Sequence, residues 1–125
     1  MDWKKAAITF TKQLGISAAT EIVRGWLNAQ LKDKTPNDLY ISIMEDKDLW
    51  TITPDKMKKT GHKFKGTYGK LFKQYQKEIT TELILKWLQK DRLDLFSTII
   101  NMPDNKGLIW IDKQVNKIKQ QIINM

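Results

Sequence analysis

The sequence predicts an all-α protein, a compact bundle of six or seven short-to-medium helices in a single domain, and three observations predict it. Apolar residues recur at three- and four-residue steps along most of the chain, the spacing that lines one face of an α-helix. Helix-start signals punctuate the chain at short intervals, clearest at Thr35-Pro36-Asn37-Asp38 and Thr53-Pro54-Asp55, where a capping hydroxyl precedes a proline and an acid. With 125 residues, 41% of them hydrophobic, the chain is one domain long (1–125) and able to bury a core.

The elements follow in order. Trp3, Ala6, Ala7, Phe10 and Leu14 form a first amphipathic stretch that ends at Gly15. Ser17 is expected to N-cap a second helix carrying Ala18, Ala19, Ile22, Val23, Trp26, Leu27 and Leu31, because its hydroxyl can accept an orphan backbone N–H. Pro36 opens a third, whose expected buried face is Leu39, Tyr40, Ile43 and Met44. Leu49-Trp50-Thr51-Ile52-Thr53 alternates like a strand but is short and has no partner, so it is expected as extended linker. A short fourth helix runs from Pro54 to Gly61. Tyr68, Leu71, Phe72, Tyr75, Ile79, Leu83 and Trp87 hold helical spacing over residues 67–90, as one helix or as two broken at Thr80-Thr81. Asp91 is expected to cap the next helix, bearing Leu93, Phe96, Ile99 and Ile100, and Asp104 the last.

In that last helix Leu108, Ile111, Val115, Ile118 and Ile122 form a regular stripe. Ile109 and Trp110 lie off it. The helix is therefore either central to the bundle or carries a homodimer face built on Ile109 and Trp110.

Composition narrows the chemistry. The chain has no cysteine and one histidine, His62, which excludes disulfide frameworks, thiolate sites and histidine-rich metal centres. No apolar run approaches the roughly 18–20 residues of a membrane span, and Met1-Asp2-Trp3-Lys4-Lys5 lacks the apolar stretch of a secretion signal. A cytoplasmic protein without metal, cofactor or catalytic residues is expected. Glu45-Asp46-Lys47-Asp48 has no companion motif that would make an acid/base or metal site. The spacing Gly61 to Gly66-Thr67 imitates a phosphate-binding loop but lacks the lysine before the threonine. Residues 16–31, with the turn at Gly15, loosely fit a helix-turn-helix. The small residue expected before the turn is Thr11, however, and the apolar one after it, Ile22, arrives one residue late. That slip rotates the second helix by about 100°.

The net charge of +8 is the strongest global signal. Residues 56–77 hold eight lysines and no acid, whereas residues 1–55 carry −1 and residues 78–125 carry +1. One glycine-punctuated segment thus carries the whole excess, and a polyanion is its natural partner. Beyond Gly66, Lys70, Lys73 and Lys77 lie on the helical stripe opposite Tyr68, Leu71, Phe72 and Tyr75. A solvated helix face usually alternates acids with lysines at four-residue spacing, and like-charge neighbours cost as much as such pairs contribute. A stripe without acids becomes favourable beside phosphates. Only Arg24 and Arg92 are arginines. An AT-rich genome or a hot habitat could set that preference for lysine, but neither would gather eight lysines without an acid between them.

The candidate contacts are Lys56, Lys58, Lys59, His62, Lys63, Phe64, Lys65, Lys70, Lys73 and Lys77. Lysines are point charges that track a backbone, whereas base readout favours arginine, asparagine or glutamine. Phe64 is placed either to stack on an unpaired base or to anchor its loop in the core. His62 is expected as an extra donor. The reading is a small non-enzymatic nucleic-acid-binding protein of low sequence specificity, for DNA or RNA. The alternatives are a helical adaptor whose basic segment docks on an acidic protein or lipid surface, and a degenerate helix-turn-helix regulator using residues 16–31.

Overall fold

The structure is a computed structural model and describes residues 16–48, 73–74 and 76–123. Among them are five α-helices and no strand: α1 (Ile16–Leu31), α2 (Pro36–Met44), α3 (Thr81–Asp91), α4 (Leu93–Ile100) and α5 (Lys106–Ile123), with 3₁₀ turns at Gln76–Glu78 and Pro103–Asn105. The all-α expectation holds; the five α-helices belong to the described residues alone. The first amphipathic stretch, the Leu49–Thr53 linker and the Pro54 helix lie outside them.

Local chemistry explains the helix starts. Thr35 and Asp38 form a capping box: the Asp38 N–H donates to the Thr35 hydroxyl at 3.1 Å and the Thr35 N–H to the Asp38 carboxylate at 2.9 Å. Pro36 occupies the first turn, where its missing N–H costs nothing. At the expected Thr80-Thr81 break, Thr80 is the N-cap of α3 and accepts from the Leu83 N–H at 3.2 Å. Helix α2 ends in a Schellman motif. The Lys47 N–H reaches back to Ser42 O at 2.8 Å and the Asp46 N–H to Ile43 O at 3.2 Å, with Asp46 left-handed at φ 52°.

The helices share one core. Trp26 and Leu31 of α1, Leu39 and Ile43 of α2, Ile84 and Trp87 of α3, and Leu95 and Ile99 of α4 close around Ile111, Val115 and Ile118 of α5. Helix α5 packs against α2, α3, α4 and both 3₁₀ turns, and α1 is held mainly through α3. Each aliphatic side chain so buried contributes on the order of 1.5–3 kcal/mol. The passage from α4 to α5 is tight. Asp104 and Asn105 are both left-handed, and Gly107 lies so close to α4 that an added Cβ would collide with the Ile99 backbone.

Several expectations are corrected by the packing. Ser17 lies inside α1, not at its cap. Asp91 is the last residue of α3 and does not cap α4; its carboxylate is taken by Arg24 and Asn28 of α1. Asp104 sits in the left-handed turn ahead of α5. Tyr40 and Met44 are exposed, because α2 turns only Leu39 and Ile43 inward. Leu93 and Ile100 are exposed, while Leu95 and Met102 are buried with Ile99. Leu108 is at the rim. The dimer-face expectation joined Ile109 and Trp110, but they point apart: Ile109 is 60% exposed and Trp110 is 2% exposed. The Trp110 ring is core, and its Nε1–H donates to Lys47 O at 2.8 Å. Helix α5 is thus central to the bundle, one face buried along Gly107, Trp110, Ile111, Gln114, Val115 and Ile118.

Candidate nucleic-acid interface

Of the ten residues singled out for nucleic-acid contact, Lys73 and Lys77 fall in the described residues, and both are exposed. Lys56, Lys58, Lys59, His62, Lys63, Phe64, Lys65 and Lys70 lie outside them. What the structure does place are the described residues on either side of the stretch 49–72, and both sit on α5. On the near side the chain arrives at Asp48, whose carboxylate accepts from Lys117 Nζ at 2.6 Å and from Gln114 Nε2 at 3.1 Å. On the far side it re-enters through Gln76–Glu78, which packs on α5, followed by Ile79, 2% exposed.

The near side is an acidic turn bound across the fold. Asp46 takes Lys113 Nζ on both carboxylate oxygens, at 2.7 and 2.9 Å. Lys113 and Lys117 are successive positions on one face of α5, so the pair of aspartates meets the pair of lysines in register. The hydrogen bonds from Lys117 and Gln114 hold the Asp48 carboxyl below the usual carboxylate range, against a smaller opposing effect of burial. The sequence showed Glu45-Asp46-Lys47-Asp48 as an acidic run; its partners lie 66 to 69 residues away and left no local signal.

Both arginines are likewise engaged. Arg24 forks onto Asp91, Nε to Oδ2 at 2.7 Å and Nη2 to Oδ1 at 2.5 Å, with Asn28 adding a third bond at 2.9 Å. The Arg24 hydrogen bond is the main reason Asp91 titrates below the usual range, and the same bond pushes the guanidinium's own value up. Arg92, at the junction of α3 and α4, donates to Leu31 O at 2.5 Å and Lys34 O at 2.6 Å, capping the end of α1, and chelates Asp94 at 3.0 Å. That bond to Arg92 is what lowers Asp94 most. These forks use the planar geometry that lysine lacks.

The remaining features offer less chemistry. A shallow open depression is lined by Asn28, Ala29, Lys32, Asp91 and Arg92, and the Asp91 and Arg92 groups in it are the ones already bonded to α1. Among the described residues no group of three or more His, Asp or Glu side chains is arranged to hold a metal ion, and no helix is long and apolar enough to cross a membrane. Comparisons with protein-family models, with curated proteins and with solved structures each return no match for this chain.

Proposed function

We propose that this is a small, non-enzymatic nucleic-acid-binding protein of low sequence specificity that grips phosphates through residues 56–77. One observation carries the reading: that segment contains eight lysines and no acid. The rest of the chain is close to neutral, and Arg24, Arg92, Lys113 and Lys117 are each paired with an aspartate. A segment left uncompensated beside such a bundle suits a polyanion. The exposure of Lys73 and Lys77 agrees with it.

The helix-turn-helix alternative draws little from the geometry. Helix α1 exposes Glu21, Gly25 and Ala29, while its Arg24 and Asn28 are bonded to Asp91. Of those three outward residues only Glu21 has a side chain that can hydrogen-bond a base edge. The adaptor alternative uses the same basic segment and differs only in its partner.

The test is a salt-titrated anisotropy curve on single-stranded DNA, duplex DNA and RNA probes of unrelated sequence. Contact with four to six phosphates gives a slope of log K against log salt of about −3 to −5. Unrelated sequences should bind within about tenfold of each other. Lys70→Glu, Lys73→Glu and Lys77→Glu together should abolish binding and leave the helical circular dichroism intact. Undiminished binding by that triple variant overturns the assignment, and binding to polyglutamate but to none of the nucleic acids supports the adaptor.

A further inference from the structure

Resting on that reading, we propose that the acidic turn at residues 45–48 is a latch: it holds Lys113 and Lys117 of α5 in the free protein, and a bound polyanion displaces its carboxylates and takes the two lysines as additional phosphate contacts.

Three observations carry this. The first is position. The described residues on either side of the stretch 49–72, Asp48 and Gln76–Glu78, both sit on α5. That helix also carries Lys113 and Lys117. The second is mimicry. Asp46 presents both carboxylate oxygens to Lys113, and Asp48 presents one to Lys117, as phosphate oxygens would. Both ion pairs are solvent-exposed, with Lys113 and Lys117 side chains 48% and 47% accessible. Exposed pairs of this kind are weak and screened by salt, so an anion of higher charge density competes with them.

The third is the quality of the closed contact. Asp46 occupies the left-handed position after α2, where glycine or asparagine is the easier residue. Gln114, 1% exposed, donates to Asp48, but its Oε1 is buried without a hydrogen-bond partner among the described residues. A turn closed over a strained residue and a half-satisfied amide is poised to open. The Trp110 Nε1–H bond to Lys47 O anchors the middle of the turn, so the carboxylates can leave while the backbone stays rooted.

The experiment compares salt slopes on one duplex DNA probe for four proteins. They are the wild type, Asp46→Asn/Asp48→Asn, the same pair combined with Lys113→Gln/Lys117→Gln, and the control Asp33→Asn/Asp104→Asn. The control removes two exposed acids elsewhere and makes the same change in net charge. Because the wild type opens only when bound, the latch variant should bind several-fold tighter than the control at equal salt, with a slope as steep as the wild type's or steeper. Adding the lysine changes should make the slope shallower by about two. Equal gains in the latch variant and the control overturn the latch, as does a slope that the lysine changes leave untouched. Thermal melts of all four identify a variant that fails to fold; Asp46→Gly/Asp48→Asn, which relieves the left-handed residue, then replaces the latch pair. Wild-type protein that binds no nucleic-acid probe overturns the functional reading and the latch with it, whereas binding with no difference among variants overturns the latch alone.

Discussion

The helical bundle and the basic segment differ in what accompanies their positive charges. In the bundle three cations are met by acids from a distant part of the chain: Arg24 by Asp91, Lys113 by Asp46, Lys117 by Asp48. In residues 56–77 eight lysines share no acid. The two regions also differ in the cations they use. The two arginines serve the fold, where a fork can satisfy two oxygens at once, and the segment uses lysine alone. The difference teaches that net charge says little by itself. What distinguishes the two regions is whether an acid stands within reach of the cation: Asp91, Asp46 and Asp48 do so for Arg24, Lys113 and Lys117, and residues 56–77 contain none of their own.

That division can be broken from either side. The largest effect is expected in the core. Ile118→Asp places an unpaired charge at a site with 0% exposure and should unfold the protein, as read by circular dichroism. Trp110→Glu should do the same at every concentration, because the ring is core and not a dimer face. Gly107→Ala comes next. Its methyl meets the Ile99 backbone, which cannot retreat as a side chain does, and a loss of about 3 kcal/mol is expected in urea titration. Asp91→Ala should cost about 1–3 kcal/mol by removing the partner of Asn28 and leaving Arg24 only its 3.4 Å contact to Glu21, with nucleic-acid affinity unchanged or slightly raised. Lys73→Ala is the mirror image. It should leave stability within about 0.5 kcal/mol and make the salt slope shallower by about one. A lysine of the segment that changes the melting temperature, or an Asp91 change that weakens binding, would erase the distinction.

Acid sharpens it further. Asp48, Asp91 and Asp94 titrate below the 3.8 of an unperturbed aspartate in the folded state. The unfolded chain therefore takes up protons first as pH falls. The stability these carboxylates contribute is complete above about pH 5, and it declines as pH drops through 3.8 toward their folded values. Lysines keep their charge throughout. Melting temperature should thus fall between pH 5 and pH 3 with no loss of positive charge in the segment, which thermal melts across that range would check.

Much of the bundle was legible because its signals are local. The helix start at Thr35–Asp38 depends on side chains reaching backbone within one turn, so residue order alone announces it, whereas Thr80-Thr81 was open between a continuous helix and a break. The inward positions Val23, Trp26, Leu27, Leu31, Ile111, Val115 and Ile118 follow from the helical repeat. Which edge of an apolar stripe is covered does not follow. The repeat put Leu93 and Ile100 on the buried stripe and passed over Leu95, and only the placement of α4 against α3 and α5 reversed that. The candidate segment was legible as composition, since eight lysines without an acid need no fold to be seen. Its relation to α5 was not.

The sequence by itself determined the helical class, the helix start at Thr35 and the location of the segment rich in lysine and free of acids, because each is set by residues within a few positions of one another. Tertiary structure alone decided that Asp91 binds Arg24 and does not cap a helix, that Trp110 is core, and that the acidic turn closes on Lys113 and Lys117. Those contacts join residues more than 60 positions apart. Side chains that can satisfy the same carboxylate equally well in many places are assigned a partner only when packing of the core brings one within reach.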